Sequence, residues 1–389
     1  MKLILDTKSF VDAIAWVSKT LDTKNDKSYI ALVVNANGNG YVSHTNGLSY
    51  IKCEVQVDSV ELEPGRDGVS LALDGAYVKR FASTFRDFSD PLTFTKELDD
   101  PRASLSVTRP QENYTIPIVD SVIGAEPKYE TIGSVSDAEF FDALTKLTKL
   151  TDPVNSGIVG AVGAVDLLVD ADEETVTLMA TDRYALGEII LPFTPESGAQ
   201  FFENVENLLL PAERAGLIAP SKGQVDQVEL LHEAKSSKFG YRFPDGRIVL
   251  FALSTSDPLP YGPLKDNAET DSSALVSVTE LRNALSAISN LAYAEADIVL
   301  NMTKNGLIVS DVNELNTRRV TIQGSEGIGE GLRVEFTRSI LNEALVPLSS
   351  NRVNIKWKSE FAPFIFTPVL DDDSEADNVF LLAIPKQDS

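Results

Sequence analysis

The sequence predicts an α+β protein made of three tandem units, each with two helices packed on antiparallel sheets. Three observations lead there. One amphipathic pattern recurs three times, a second helical segment follows each copy, and short apolar strands fill the intervals.

The recurring segments are Lys8 to Leu21, Ser136 to Leu150 and Ser277 to Tyr293. Laid over one another, they pair Phe10 with Phe140 and Leu281, Ala13 with Ala143 and Ala284, Ile14 with Leu144 and Leu285, and Val17 with Leu147 and Ile288. These positions follow the i, i+3, i+4, i+7 spacing of one helix face. The polar face repeats as well: Asp12, Asp142 and Asn283 fall together, as do Lys19, Lys149 and Asn290. Matches on both faces at domain-sized intervals mark an internal repeat.

The second helices are predicted over Gly75 to Phe88, Pro211 to Lys222 and Thr337 to Leu348. Asp74 and Thr337 are suited to cap such helices, and Pro211 suits a first helical turn. Strands are expected over Leu92 to Thr95, Ala103 to Thr108, Thr175 to Ala180, Gln227 to Leu231, Arg247 to Leu253, Ile298 to Met302, Leu332 to Phe336, Val353 to Lys358 and Val379 to Ile384. Their Val, Ile, Leu, Phe and Thr content suits strands, and tips such as Pro244-Asp245-Gly246 and Asn305-Gly306 suit the turns between them.

At 389 residues the chain divides into three units near the usual domain size. Proline-marked linkers place the units at 1–129, 130–260 and 261–389. No apolar run approaches the ~20 residues that span a bilayer. Met1 to Asp6 lacks the apolar region of a signal peptide, and Cys53 is the only cysteine. These features predict a cytoplasmic protein without a disulfide framework and without membrane contact. Cys53 reads as a small buried or half-buried side chain.

Charge sorts unevenly along the chain. Asp and Glu number 58 against 34 Lys and Arg, a net charge of −24, which argues against nucleic-acid binding by the surface as a whole. The six helical segments nevertheless carry 11 basic and 8 acidic residues, so the excess acid lies outside them. Were the helices to line one surface, that surface would be mildly basic on an acidic body and could hold a duplex through phosphates without reading bases. Ordinary solvated helix faces would give the same count.

Motifs for catalysis are absent from the sequence. His44 and His232 are far apart, sit in no metal-ligand spacing, and read as ordinary surface or half-buried histidines. Neither a GxSxG elbow nor a GxxxxGK[ST] loop occurs. Gly327 to Gly331 reads as a turn between strands. The acids Asp371, Asp373, Glu375 and Asp377 alternate like early calcium ligands, but Ala376 and Leu382 occupy the places of the loop's glycine and final glutamate. That run reads as a flexible hairpin tip held open by self-repulsion. The sequence calls for no catalytic residue, no metal and no cofactor.

Three short motifs carry a family resemblance. The strand Val176 to Asp182 with Arg183, Tyr184, Ala185 and Leu186 resembles an ATD(G/R)(H/F)RLA motif; Leu259-Pro260-Tyr261 resembles an FPxYR linker; Phe380 to Pro385 resembles a terminal YxxMPxRL strand. In their order and spacing, and with the triple repeat, the chain resembles the bacterial β sliding clamp, the DNA polymerase III beta subunit, in a divergent form of phage-borne or actinobacterial type. The resemblance covers essentially the whole chain. It implies three DNA-clamp domains per subunit, a head-to-tail homodimeric ring with helices inside and sheets outside, and encircled double-stranded DNA held non-specifically. It also implies a replicative DNA polymerase and other partners docked by short apolar peptides, and a separate clamp loader.

Carried over position by position, the resemblance assigns peptide docking to Thr181, Tyr184, Leu186, Pro260, Leu382 and Ile384. Leu382 and Ile384 share one strand face, and Pro260 fixes a turn. The chain departs from the family where Ala185 replaces the first motif's arginine, where Gly262-Pro263 replaces the linker's, and where Lys386-Gln387-Asp388-Ser389 replaces the basic ending. Candidates for phosphate contact are Lys8, Lys19, Lys79, Arg80, Arg86, Lys146, Lys149, Arg214, Lys222, Arg282 and Arg338. A non-enzymatic structural or assembly protein of repeated α+β domains is the alternative reading.

Overall fold

The structure, a computed structural model, describes residues 1–21, 28–85, 88–96, 104–109, 111–152, 160–199, 207–215, 226–233, 237–266, 268–291, 297–303, 305–327 and 331–386. Two compact units result. One comprises Met1–Val135, Glu196–Phe201 and Pro220–Ala252; the other comprises Ser136–Pro195, Phe202–Ala219 and Leu253–Ser389. The middle third of the chain thus contributes to both.

In the first unit, the helix Thr7–Val17 opens on Asp6, whose carboxylate accepts the backbone N–H of Ser9 at 2.7 Å, and continues through a 3-10 turn, Ser18–Thr20. The helix Gly75–Thr84 is capped in the same way by Asp74, which accepts from Tyr77 N–H at 2.7 Å. The two helices pack together over the sheets. Phe10 meets Phe94 edge to face at 5.2 Å, and Phe85 meets Tyr114 at 5.1 Å.

One sheet of this unit runs in the order Val57–Glu61, Lys2–Leu5, Leu92–Thr95, Ser104–Arg109, Glu112–Pro117. A larger sheet includes Gln227–Glu233, Lys238–Arg242, Ile248–Ala252, Ser49–Val55, Gly40–Thr45, Tyr29–Asn35 and Gly68–Asp74 in that order. Its joint between the first and middle thirds is the antiparallel pairing of Ile248 with Lys52 through Phe251 with Ser49.

The second unit repeats the device. Its larger sheet runs Asn207–Pro211, Ala164–Asp170, Thr175–Thr181, Ala185–Pro192, Val379–Ala383, Phe364–Val369, Arg352–Trp357, Ser272–Ser277, Ile322–Glu326, and a four-stranded sheet runs Thr317–Val320, Gly306–Asp311, Ile298–Thr303, Leu332–Phe336. Ala185 pairs with Ala383 and Ile189 with Val379, which joins the middle third to the last. The helix Asp137–Leu147 lies on this sheet so closely that a Cβ on Gly187 would stand 2.8 Å from Leu147 and 2.5 Å from Leu150. The helices Val278–Leu291 and Arg338–Ala344 belong to the same unit.

The repeat seen in the sequence has a physical basis. Phe10, Ala13, Ile14 and Val17, with their counterparts on Asp137–Leu147 and Val278–Leu291, are all at most 2% exposed, while Asp12, Asp142, Asn283, Lys19, Lys149 and Asn290 are exposed.

Several sequence expectations need correction. Pro211 ends a strand, paired with Ala164, rather than opening a helix; Ala212–Ala215 is helix, and residues 216–222 of the expected segment lie outside the described residues. The third short helix stops at Ala344 rather than Leu348. Pro347 disfavours helical backbone at the residue before it and cannot donate to the ladder. His44 and His232 are both buried, and burial holds both below the usual imidazole range; His44 Nδ1 lies 2.8 Å from Tyr29 O. The acidic hairpin tip is anchored rather than held open by repulsion. Asp373 meets Arg352 at 2.5 Å, and Glu375 meets Lys356 at 2.5 Å and accepts from Asn354 at 2.8 Å.

Candidate functional site

The turn between Thr175–Thr181 and Ala185–Pro192 is held by its own side chains. Asp182 Oδ1 accepts the N–H groups of Tyr184 at 2.8 Å and Ala185 at 2.6 Å. Thr181 Oγ1 accepts from Arg183 N–H at 2.9 Å and donates to Ala185 O at 2.6 Å. This closure puts Arg183 at φ +87°, a left-handed conformation that a non-glycine residue adopts at a cost of about 1 kcal/mol or more. Tyr184 is left 50% exposed at the tip. Its carbonyl accepts the N–H of Ile384 at 2.8 Å, tying the end of the chain to the turn.

Beneath the turn lies an apolar cluster of Met179, Leu186, Tyr261 and Leu382, with Leu259, Ala268, Phe380 and Ile384 packed on it. Glu188, on the strand Ala185–Pro192, is buried and meets Lys265 at 2.6 Å.

Beside the turn opens a cleft of about 860 Å³. One wall is the turn itself, from Asp182 to Tyr184; another is Thr337 with Ser339, Ile340 and Glu343 of the helix Arg338–Ala344 that follows it; the remainder is Thr151, Asp152, Ile384, Pro385 and Lys386. That helix packs on both Ala185–Pro192 and Val379–Ala383, so the sheet joint positions the wall.

The six predicted docking residues divide into three kinds. Tyr184 and Ile384 line the cleft. Leu186 and Leu382 are 1% and 2% exposed and form its apolar support, and Thr181 is buried in the turn's hydrogen bonds. Pro260 is exposed in the linker before Tyr261. Ile384 lies just past the end of its strand, Val379–Ala383. The helix wall and Asp152 went unread in the sequence, because neither carries a motif; the only signal was that Arg338–Ala344 belongs to the repeat.

Ala185 is 1% exposed, so its side chain has no room to act at the surface. Arg183 is the cation at this turn, 5.8 Å above the Tyr184 ring and 3.7 Å from Asp152. Burial, followed by Asp182 and Asp152, pushes the Glu343 carboxyl above the usual carboxylate range.

The basic candidates also divide. Lys8, Lys79, Arg80 and Lys149 are exposed on helices or at their ends. Lys19 is exposed, with its ammonium 4.2 Å over the Trp16 ring, and burial and then Arg247 lower its pKa. Lys146 pairs with Asp142 at 2.5 Å and Arg214 with Glu213 at 3.5 Å. Arg282 donates to Leu345 O at 2.6 Å and Leu348 O at 2.7 Å. Arg338 is half-buried at the start of its helix. Arg86 and Lys222 lie outside the described residues.

Among the described residues, no group of three or more His, Cys, Asp and Glu is placed to hold a metal ion. Cys53 is buried, and burial above all pushes its thiol up to about 12, far from a reactive thiolate.

No family model matches the chain. Solved structures do match, over all of both chains. The DNA polymerase III subunit beta from Pseudomonas aeruginosa superposes with a TM-score of 0.82 at 13% identity. The DNA polymerase sliding clamp from Bacillus subtilis gives 0.81 at 11%, and the Helicobacter pylori beta clamp bound to a DNA ligase peptide gives 0.77 at 15%. The chain has the fold of these bacterial clamps.

Proposed function

We propose that this chain is a DNA sliding clamp, a processivity factor that encircles duplex DNA and tethers a replicative polymerase. The observation that carries the reading is the likeness to bacterial clamps across 100% of each chain. On this reading the three sequence units, 1–129, 130–260 and 261–389, are three clamp domains, and two copies close head to tail into a ring. Sheet edges support association: among the described residues, the five-stranded sheet of the first unit ends on Val57–Glu61 and Glu112–Pro117, and the four-stranded sheet of the second has Thr317–Val320 at one edge. Edges of this kind are templates for a second copy.

Processivity by topological linkage needs no reaction at the clamp, so the protein works without a catalytic group or cofactor. Exposed Lys8, Lys79, Arg80 and Lys149 would contact phosphates loosely enough to permit sliding. Lys19, Lys146, Arg214 and Arg338 would add to the field, and Arg282 holds a helix end. The cleft beside Tyr184 and Ile384 would receive a partner's apolar peptide, as the Helicobacter pylori clamp holds a DNA ligase peptide. Such anchors contribute about 1.5 to 3 kcal/mol each when buried. A separate loader would open the ring, and the protein would work in the cytoplasm.

The test is direct. Light scattering on the eluting protein should give a dimer, and the cognate polymerase should copy circular primed DNA over long stretches only when this protein and a loader are both present. A stable monomer that leaves polymerase extension unchanged would sink the proposal.

A further inference from the structure

Leu186 and Leu382, the leucines assigned to peptide docking, are closed off from solvent. They alternate with Gly187 and Leu381, and Gly187 faces Leu147 and Leu150, so the two leucines point to the opposite face of the sheet. What covers them there is the same chain. Tyr261, itself 5% exposed, joins their cluster, and Leu259 and Ala268, on either side of the linker helix Tyr261–Asp266, pack against it. Ile384 packs on that cluster and also lines the cleft, so pocket and cleft adjoin. The register shows how the linker is seated. Leu209, Asp166, Met179, Glu188 and Phe380 stand opposite one another across neighbouring strands, so their side chains share one face, and the opposed Leu186 and Leu382 lie two residues along on that same face. Tyr261 and Lys265 have the i, i+4 spacing of one helix side. Lys265 pairs with buried Glu188 at 2.6 Å and stands 5.5 Å from the Phe380 ring, whereas Tyr261 packs with Met179, where the charge of Asp166 bears on its hydroxyl. The two contacts are unequal. Glu188 has its lysine, but the Tyr261 hydroxyl and both Asp166 carboxylate oxygens are buried with no hydrogen-bond partner among the described residues. Unsatisfied polar groups cost free energy when buried, so apolar contacts hold the ring in place against a penalty at its tip.

We propose that Tyr261 is an internal occupant of the apolar pocket, and that a docking peptide reaches Leu186 and Leu382 by displacing its ring. The inference rests on the docking role proposed above and adds a gate to it. Displacement returns the tyrosine hydroxyl to water and puts in its place a leucine or phenylalanine anchor, which has no polar atom to satisfy. A peptide without such an anchor leaves the ring where it is. The gate also sets affinity, because the intrinsic dissociation constant of the peptide is divided by the fraction of molecules in which the pocket is free.

Fluorescence anisotropy with the full-length protein provides the test. The probe is a labelled short peptide carrying leucine and phenylalanine anchors. Tyr261→Ala, which empties the pocket, should bind it about tenfold tighter than the natural protein does. Tyr261→Phe, which keeps the ring and removes the unsatisfied hydroxyl, should hold the plug more firmly and bind the peptide about threefold weaker. A ring that merely forms the pocket wall gives the reverse for alanine, since its loss removes contacts. Should Tyr261→Ala fold poorly, Tyr261→Phe decides alone, with weaker binding upholding the gate and equal or tighter binding overturning it. Binding by folded Tyr261→Ala no tighter than by the natural protein, with Ile384→Asp still abolishing it, would overturn the inference and leave the docking role standing. Absence of binding by the natural protein and both variants, or binding indifferent to Ile384→Asp, would remove the docking role and the inference with it.

Discussion

At the scale of single residues, Asp166 is a costly placement. It stands on the strand Ala164–Asp170, fully buried, and neither carboxylate oxygen has a hydrogen-bond partner among the described residues. Burial pushes its pKa up from 3.8 to about 6. The Tyr261 hydroxyl, also buried without a partner, is raised by burial and then by Asp166. Because the folded state binds the Asp166 proton more tightly than the unfolded chain does, this residue makes stability fall as pH rises from about 4 through about 6, and its cost is fully present above that. Asp166→Asn should therefore be more stable than the natural protein at pH 8 by about 1 to 3 kcal/mol, with the two converging near pH 4. Urea unfolding at the two pH values checks this, and a variant less stable at pH 8 would overturn it. Nothing in the sequence pointed to Asp166: a polar residue between Val165 and Leu167 reads as the solvent side of an alternating strand. Motifs name Tyr184 and Ile384, whereas Glu343 has no motif and joins the cleft only because packing brings its helix to the turn.

For the elements, the repeat helices were the most readable part of the chain. Their apolar positions are fixed by helix geometry, and all twelve matched positions are in the core. The third short helix was read past its end at Ala344, through Pro347, and the middle one from one residue too early, since the sequence does not show the strand that claims Pro211. The same limit applies to Arg282. Sequence offers it as a cation on a helix face, while the structure commits its guanidinium to Leu345 O and Leu348 O, just past the end of Arg338–Ala344. Arg282→Ala should lower stability by about 1 to 3 kcal/mol, as loss of charge-assisted hydrogen bonds to a helix end does, and should leave retention on circular DNA unchanged. Denaturant unfolding and a DNA-retention assay on the same variant separate the two roles; loss of retention at unchanged stability would return Arg282 to the DNA surface.

For the whole molecule, a net charge of −24 must coexist with DNA in the proposed role. In that role, acid concentrated outside the predicted helical segments would keep contact with phosphate weak. Replacing Lys8, Lys79, Arg80 and Lys149 together by glutamate should shorten the residence of loaded protein on circular DNA, with the natural protein's residence itself falling as salt is raised. Gel filtration of the variant should still give the natural oligomer. Unchanged residence at low salt would show that these four side chains do not face the duplex.

The sheet joints have one more consequence. In the first unit Ile248–Ala252 meets Ser49–Val55, and in the second Ala185–Pro192 meets Val379–Ala383, in both cases through a main-chain ladder. Peptide groups are common to all residue types, so such a seam survives the exchange of almost any side chain that keeps to its face of the sheet. A fold joined this way can be common to unlike sequences: solved structures at 11–16% identity to this chain match it with TM-scores between 0.76 and 0.82. The seams are made of what nearly every residue type shares, so they ask little of the sequence that forms them.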